Sequence, residues 1–409
     1  MSSPTTGKRA IDATIVDVQT VRVSPTVKPE LVVAGARGVH DRSDFLLVRV
    51  VTSAGVTGIG EVSATLTWSG EDGATGEYLI RTVLAGAVIG QPIAPVADLE
   101  RRMDRALAGS PFTKAGLSTA LWDAYARTLD VPLAVALGGP LRTEIPVKCS
   151  LSGDGDRLRA THRAAVASGF ESFKVKIGLD PVADAQRVAL ARQLCGPHAF
   201  IGLDANGGYR RDAARRAVEL IRPSAPAFLE QPVEPGDLEG MRQLRDLGLP
   251  IVADESVFGT DDLVSVLRAE AADVVSLYIG KSGGPGRLVS MARLADAFGL
   301  TVVIGSNGEL GVGAAAQLQA GAAAAGLSTH IPSDIIGAHY YQDDVLAEPL
   351  TVDGRTARLP DGPGLAVSLR EDIETRFVSV SDDQGHRFDA DPVGADTAQA
   401  SRRTDNPYP

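Results

Sequence analysis

Cysteine is scarce in this chain: Cys149 and Cys195 are the only two among 409 residues. Two cannot build a disulfide framework, and neither stands in a Cys-rich metal spacing, so a reducing cytoplasm is the expected compartment. Positive charge is also short, with 40 Lys and Arg against 51 Asp and Glu and a net charge of −11. No basic stripe with interleaved aromatics compensates, which argues against a nucleic-acid or polyanion partner. The N-terminus lacks a continuous apolar run, so no signal peptide is expected. The Ala-rich stretch GAAAQLQAGAAAAGL is interrupted by Gly and Gln and reads as a packed helix rather than a membrane span. A Gly-rich dinucleotide loop is missing too, which speaks against an open doubly wound sheet.

What remains is an ordinary globular composition, 44% hydrophobic and 22% charged, in a chain too long for one compact core. Residues 12–24 and 44–63 read as strands, the second a hairpin turning at Ser53-Ala54-Gly55, with loops at Pro25–Asp41 and Ala64–Gly73. Helical patterns follow at about 75–88, 96–108 and 112–129, giving an α+β domain over residues 1–140. From Ile145 short β-rich runs alternate with amphipathic segments: VKCS, ESFKVKIG, FIGLDAN, AFLEQP, PIVADES, DVVSLYIG and TVVIGS. That repetition predicts a (β/α) barrel over 141–345. Residues 346–379 read as a segment returning to the first domain, with DGPGLAVSLREDIETRF as a strand. The polar stretch 380–409 reads as a disordered tail.

Three carboxylates carry the chemistry. Asp204, Glu230 and Asp254 each end an apolar run, at intervals of 26 and 24 residues, about one strand-helix unit. On consecutive parallel strands they converge on one mouth of a barrel, where such enzymes place their sites. Three hard oxygen donors suit Mg²⁺, with Mn²⁺ as the alternative ion. The run Phe173-Lys174-Val175-Lys176-Ile177 puts two lysines on one strand face. Beside a metal and a like charge a lysine loses basicity and becomes a usable proton acceptor near neutral pH. Together these predict removal of the α-proton of a carboxylate substrate to a metal-stabilised enediolate.

In their order, FKVKIG, GLDANGGY, FLEQP and VADES resemble the enolase superfamily, and its muconate-lactonizing subgroup most closely, over about residues 12–378. The resemblance implies a modified (β/α)7β barrel, class α/β, with an N-terminal α+β capping domain completed by the C-terminal segment. It implies Asp204, Glu230 and Asp254 as Mg²⁺ ligands, Lys176 as base and Lys174 as its electrostatic support. Asn206 would lie behind the metal ligands or near the substrate carboxylate. Glu309, in GSNGELG, would act directly or only shape the pocket. Arg37, Trp68 and Tyr209 are further candidates for substrate contact. No His occupies the seventh strand end, unlike the mandelate-racemase subgroup.

One departure from the subgroup stands out. Its second catalytic lysine, on strand six, aligns with Tyr278, while Lys281 belongs to the KSGG turn three residues on. A tyrosine at neutral pH is a hydrogen-bond donor or weak acid, not a base. The expected reaction is therefore β-elimination (dehydration) or cycloisomerisation with Lys176 as single base. The alternative is a racemase or epimerase of an amino-acid derivative using Lys176 with Tyr278 or Lys281, and a third reading is a non-catalytic carboxylate-binding relative. The expected partner is a small-molecule carboxylate, within a homo-oligomer, with no nucleic acid or membrane.

Overall fold

Runs rich in Val, Ile, Leu and Thr build the first sheet, in which β1 (Ile15–Val23) pairs antiparallel with β4 (Phe45–Thr52), and β4 with β5 (Thr57–Val62). The computed structural model describes residues 10–373. The helix Pro111–Thr128 lies against β5 at unusually short range, because β5 alternates glycine on that face. A Cβ at Gly58 or Gly60 would stand 2.1 Å from a helix carbonyl oxygen, so any side chain would push the helix away. Asp123 on this helix is fully buried and accepts the Ile59 amide at 2.8 Å and the Leu365 amide at 2.7 Å, tying three parts of the chain together.

The segment expected to be a loop at Pro25–Asp41 is more ordered than that. It holds a 3-10 turn, Pro29–Leu31, and a hairpin of β2 (Val33–Gly35) and β3 (Gly38–His40). Gly38, at φ 109°, takes a backbone conformation that closes this hairpin without side-chain strain. Likewise the stretch 64–73 contains the short helix Leu66–Ser69.

After β6 (Glu144–Pro146) come seven parallel strands: β7 (Cys149–Leu151), β8 (Ser172–Lys176), β9 (Phe200–Asp204), β10 (Leu229–Glu230), β11 (Ile251–Ala253), β12 (Val274–Leu277) and β13 (Thr301–Ile304). They pair in unbroken sequence order. The eighth position is filled by residues 332–334, which hydrogen-bond on one side to Pro146 and Lys148 and on the other to Ile304. The sheet is thereby closed into the (β/α)7β arrangement, its interior packed with buried aliphatic side chains. No helix among the described residues is long and apolar enough to cross a membrane.

Among the described residues the C-terminal segment lacks the expected strand. β14 (Thr356–Arg358) pairs with β6, whereas residues 361–373 form only single bridges and contacts to the helix Pro111–Thr128. Pro360 and Pro363 withhold two amide donors from any ladder there. The expected disordered tail, 380–409, lies outside the described residues.

Candidate active site

The three acids arrive where the strand pattern put them: Asp204 and Glu230 are the last residues of β9 and β10, and Asp254 follows β11 directly. All three are buried. Their spacing is held by backbone bends that immediately follow. Asn206 and Gln231 adopt positive φ (44° and 35°), a conformation that costs a non-glycine residue energy and is found where function constrains the chain. Gln231 then bridges two strand ends, its Oε1 accepting the amides of Asp254 at 3.1 Å and Ser256 at 3.0 Å.

Both lysines of β8 point into the barrel, but they differ sharply. Lys174 Nζ donates to both oxygens of Glu230 at 3.2 Å and to Asp334 Oδ2 at 3.0 Å. Burial alone would depress Lys174, yet Asp334, Glu230 and Asp204 outweigh it and hold the ammonium well above its usual range. Lys176 is the more open of the two, its side chain 14% exposed against 7%. Its Nζ donates to Asp204 Oδ2 at 2.6 Å and to Asn206 Oδ1 at 3.0 Å. Burial works to raise Asp204, but Lys176 and Lys174 bring it down to about 2. Glu230 moves the other way, to about 8, through burial and the like charges of Asp204, Asp254 and Asp334.

A cavity of about 170 Å³ opens at this mouth of the barrel. Lys174, Lys176, Asp204, Asn206 and Asp254 form its floor, and the β2–β3 hairpin with Thr65–Trp68 forms its cover. Trp68 and Arg37 are on its wall, Arg37 Nε donating to the Asn206 carbonyl at 3.2 Å. Tyr278, directly after β12, also lines it, and its hydroxyl has no hydrogen-bond partner among the described residues. β8 and β12 are four places apart around eight, so Tyr278 stands across the barrel from Lys176. The Tyr278 ring is set by Trp68 and Phe112, at 5.7 and 6.3 Å between centroids.

Three candidates fall elsewhere. Lys281 lies under the Tyr278 ring, 4.4 Å from its centroid, and its ammonium donates to the Asp254 carboxylate, to the Asp254 carbonyl at 2.6 Å and to Ser276 O at 3.0 Å. All three of its protons are engaged and it is not part of the cavity wall, so it does not face a substrate there. Glu309 also stays off the wall, held by Ser306 Oγ and the Asn307 amide, and Ser306 and Asn307 line the cavity in its place. Tyr209 is buried away from the cavity and donates to Asp184 at 2.5 Å.

Sequence reasoning missed Asp334, Lys148 and Glu255. Glu255 was legible as the second acid of VADES, and it accepts from Asn206 Nδ2 at 3.0 Å. Lys148 had a signal, a lone cation in an apolar run. Asp334 had none, because the eighth barrel position carries no strand pattern.

The residues fit a divalent cation by their chemistry: three carboxylates stand at neighbouring strand ends, and the crowding that raises Glu230 is what a cation relieves. Among the described residues no three such side chains stand in a ready ligating array; each carboxylate is held by an ammonium group, Asp204 by Lys176, Glu230 by Lys174 and Asp254 by Lys281.

Fold and site define a capped-barrel enzyme with acid and lysine groups at the strand ends. The chain belongs to the mandelate racemase/muconate lactonizing enzyme family of the enolase superfamily. Residues 15–138 match the mandelate racemase/muconate lactonizing enzyme N-terminal domain, and residues 157–373 the enolase C-terminal domain-like family. It is 31% identical to a chloromuconate cycloisomerase of Cupriavidus pinatubonensis, over 84% of this chain and 94% of that one. It is 30% identical to the L-Ala-D/L-Glu epimerase of Bacillus subtilis, over 86% and 96%. The crystal structure of a muconate lactonizing enzyme from Pseudomonas fluorescens, complexed with muconolactone, superposes with a TM-score of 0.84 at 26% identity, covering 90% of this chain and 99% of that one.

Proposed function

We propose that this enzyme depends on a divalent cation, Mg²⁺ or Mn²⁺, and removes the α-proton of a small-molecule carboxylate with Lys176, completing the reaction by β-elimination or cycloisomerisation. The observation that carries this reading is the unequal placement of two lysines on one strand face. Lys174 is enclosed between Asp334 and Glu230, while Lys176 ends at the cavity floor beside Asp204 and Asn206.

Asp204, Glu230 and Asp254 would hold the ion, which supplies positive charge beside the substrate carboxylate when bound. Lys176 takes the α-proton onto Nζ from one face of the substrate in elimination, and in cycloisomerisation it delivers a proton from Nζ to that α-carbon once the ring has closed. Lys174 keeps a fixed positive charge next to the carboxylate end, because its acid partners hold it protonated. Tyr278, on the opposite face, donates its hydroxyl proton to a departing oxygen in elimination, or orients the substrate for ring closure. The Trp68, Phe112 and Phe258 rings exclude water from that side.

A second reading, racemisation or epimerisation of an amino-acid derivative, is favoured by the similarity to the L-Ala-D/L-Glu epimerase and by the unpartnered Tyr278 hydroxyl. Here Tyr278 would return the proton from the face opposite Lys176. A cytoplasmic homo-oligomer is the setting we propose for either reaction.

The test is α-proton exchange in D₂O with Mg²⁺ against a panel of carboxylates, for the wild type, Lys176→Ala and Tyr278→Phe. Exchange that needs Lys176, with elimination or ring closure that needs Tyr278, supports the first reading. Interconversion of both stereoisomers supports the second. Exchange unchanged in Lys176→Ala would sink both.

A further inference from the structure

Lys148 has no part in the chemistry above, yet it is fully buried in the apolar run before β7. An ammonium is costly to bury unless its protons and charge are met. Lys148 Nζ donates to the Pro332 carbonyl at 2.6 Å and to Asp334 Oδ2 at 3.0 Å. That same oxygen accepts from Lys174 Nζ at 3.0 Å. One carboxylate charge is therefore shared by two ammonium groups. Burial opposes ionisation of Asp334, but Lys148 and Lys174 prevail and keep it below the ordinary carboxylate range.

The consequence lies in the cavity wall. Its acids are Asp204, Asp254 and Asp334, and its basic side chains are Lys174, Lys176, Arg37, His40 and Arg42. Asp204 and Asp254 belong to the acid triad. Among the described residues Asp334 is thus the one wall acid that a positively charged substrate group could use, and it adjoins Lys174, which lies 3.5 Å from Asp204. Lys174 also divides itself between Asp334 and Glu230, and with Lys148 added on the same oxygen that acid has no unshared charge to offer.

We propose that Lys148 is a specificity-determining residue. By neutralising Asp334 it closes the cavity to acids that carry an ammonium group beside the carboxylate, and selects acids whose α-carbon bears only uncharged substituents or a further anion. Amino acids whose nitrogen is acylated, and so uncharged, remain admissible. This rests on the reading of the cavity as a site of α-proton abstraction from carboxylates.

The test compares succinate with L-aspartate, which differ by the ammonium group, by calorimetry in Mg²⁺ and by deuterium exchange at the α-carbon. The wild type is expected to bind succinate at least tenfold more tightly. Lys148→Met should narrow that preference at least fivefold through tighter aspartate binding, while Lys148→Arg keeps it. In the double variant Lys148→Met, Asp334→Asn the gain for aspartate should vanish, because no acid is left to accept the ammonium. Equal affinity for the two ligands in the wild type would overturn the inference. So would an equal loss of both in a folded Lys148→Met protein, which would make Lys148 a structural brace. Failure of succinate, L-aspartate and the wider carboxylate panel alike to bind or exchange would overturn the underlying reading of the site as well.

Discussion

Lys281 is bound to Asp254 twice, through the backbone carbonyl at 2.6 Å and through the carboxylate. The cation that could have replaced a missing strand-six base instead holds one of the three strand-end acids in place. Lys281→Met would leave Asp254 as a buried carboxylate without its partner, a change that costs about 3–5 kcal/mol. A divalent ion at the triad would restore a countercharge. The expected outcome is a large fall in melting temperature in EDTA that shrinks when Mg²⁺ is added, read by calorimetric melting with and without the ion. An equal loss in both buffers would mean that Asp254 does not meet the metal.

Gly305 leaves room for Tyr278. A Cβ at that position would stand 2.2 Å from Ser276 Oγ and 2.7 Å from Tyr278 Cδ1. Gly305→Ala should displace the Tyr278 ring at an overpacking cost of about 1–3 kcal/mol. Product formation should fall by at least tenfold while Lys176-dependent proton exchange persists. Comparing the two rates in one D₂O experiment checks this, and a parallel loss of both would show that the Tyr278 side of the cavity has no separate role.

Glu230 links metal affinity to pH. Burial and the charges of Asp204, Asp254 and Asp334 push it up to about 8 against the opposing pull of Lys174, so on acidification it takes up a proton that a ligating carboxylate must release. Mg²⁺ affinity should therefore weaken as pH falls below about 8, by up to tenfold per unit, and level off above it. Calorimetric titrations across this range, with Glu230→Gln as reference, measure the slope. A pH-independent affinity in the wild type would refute the assignment.

His339, which is not on the cavity wall, should make the protein acid-labile. Burial, helped by the Lys28 charge, lowers it from 6.5 to about 4, and its Nε2 is buried with no partner. The neutral ring packs 4.7 Å from Phe170. Because the unfolded chain binds the proton more readily, this contribution is complete above pH 6.5 and is lost as pH falls from 6.5 through 4. Its size is on the order of 3 kcal/mol. His339→Phe should flatten that part of the stability profile in denaturant titrations. An unchanged slope would place the acid sensitivity elsewhere.

Much of the site was legible because barrel strands convert sequence period into position. Residues two apart share a face, which put Lys174 and Lys176 together, and runs of equal length brought Asp204, Glu230 and Asp254 to one mouth. The hairpin β2–β3 was not legible, because its strands are three residues each and carry no alternation. The eighth barrel position escaped for a related reason: residues 332–334 are held by isolated bridges rather than a ladder.

The sequence by itself therefore determined the capped barrel, the acid triad, the lysine pair and the tyrosine at strand six. These follow from periodicity, strand ends and motif order, all properties of contiguous residues. Only the tertiary structure decided which lysine is enclosed, where Lys281 points and what Lys148 does. Each of those depends on a partner far away in the chain, Asp334 for both Lys148 and Lys174 and Asp254 for Lys281. A buried ammonium takes its direction from the nearest carboxylate in space, and no local pattern records where that carboxylate will be.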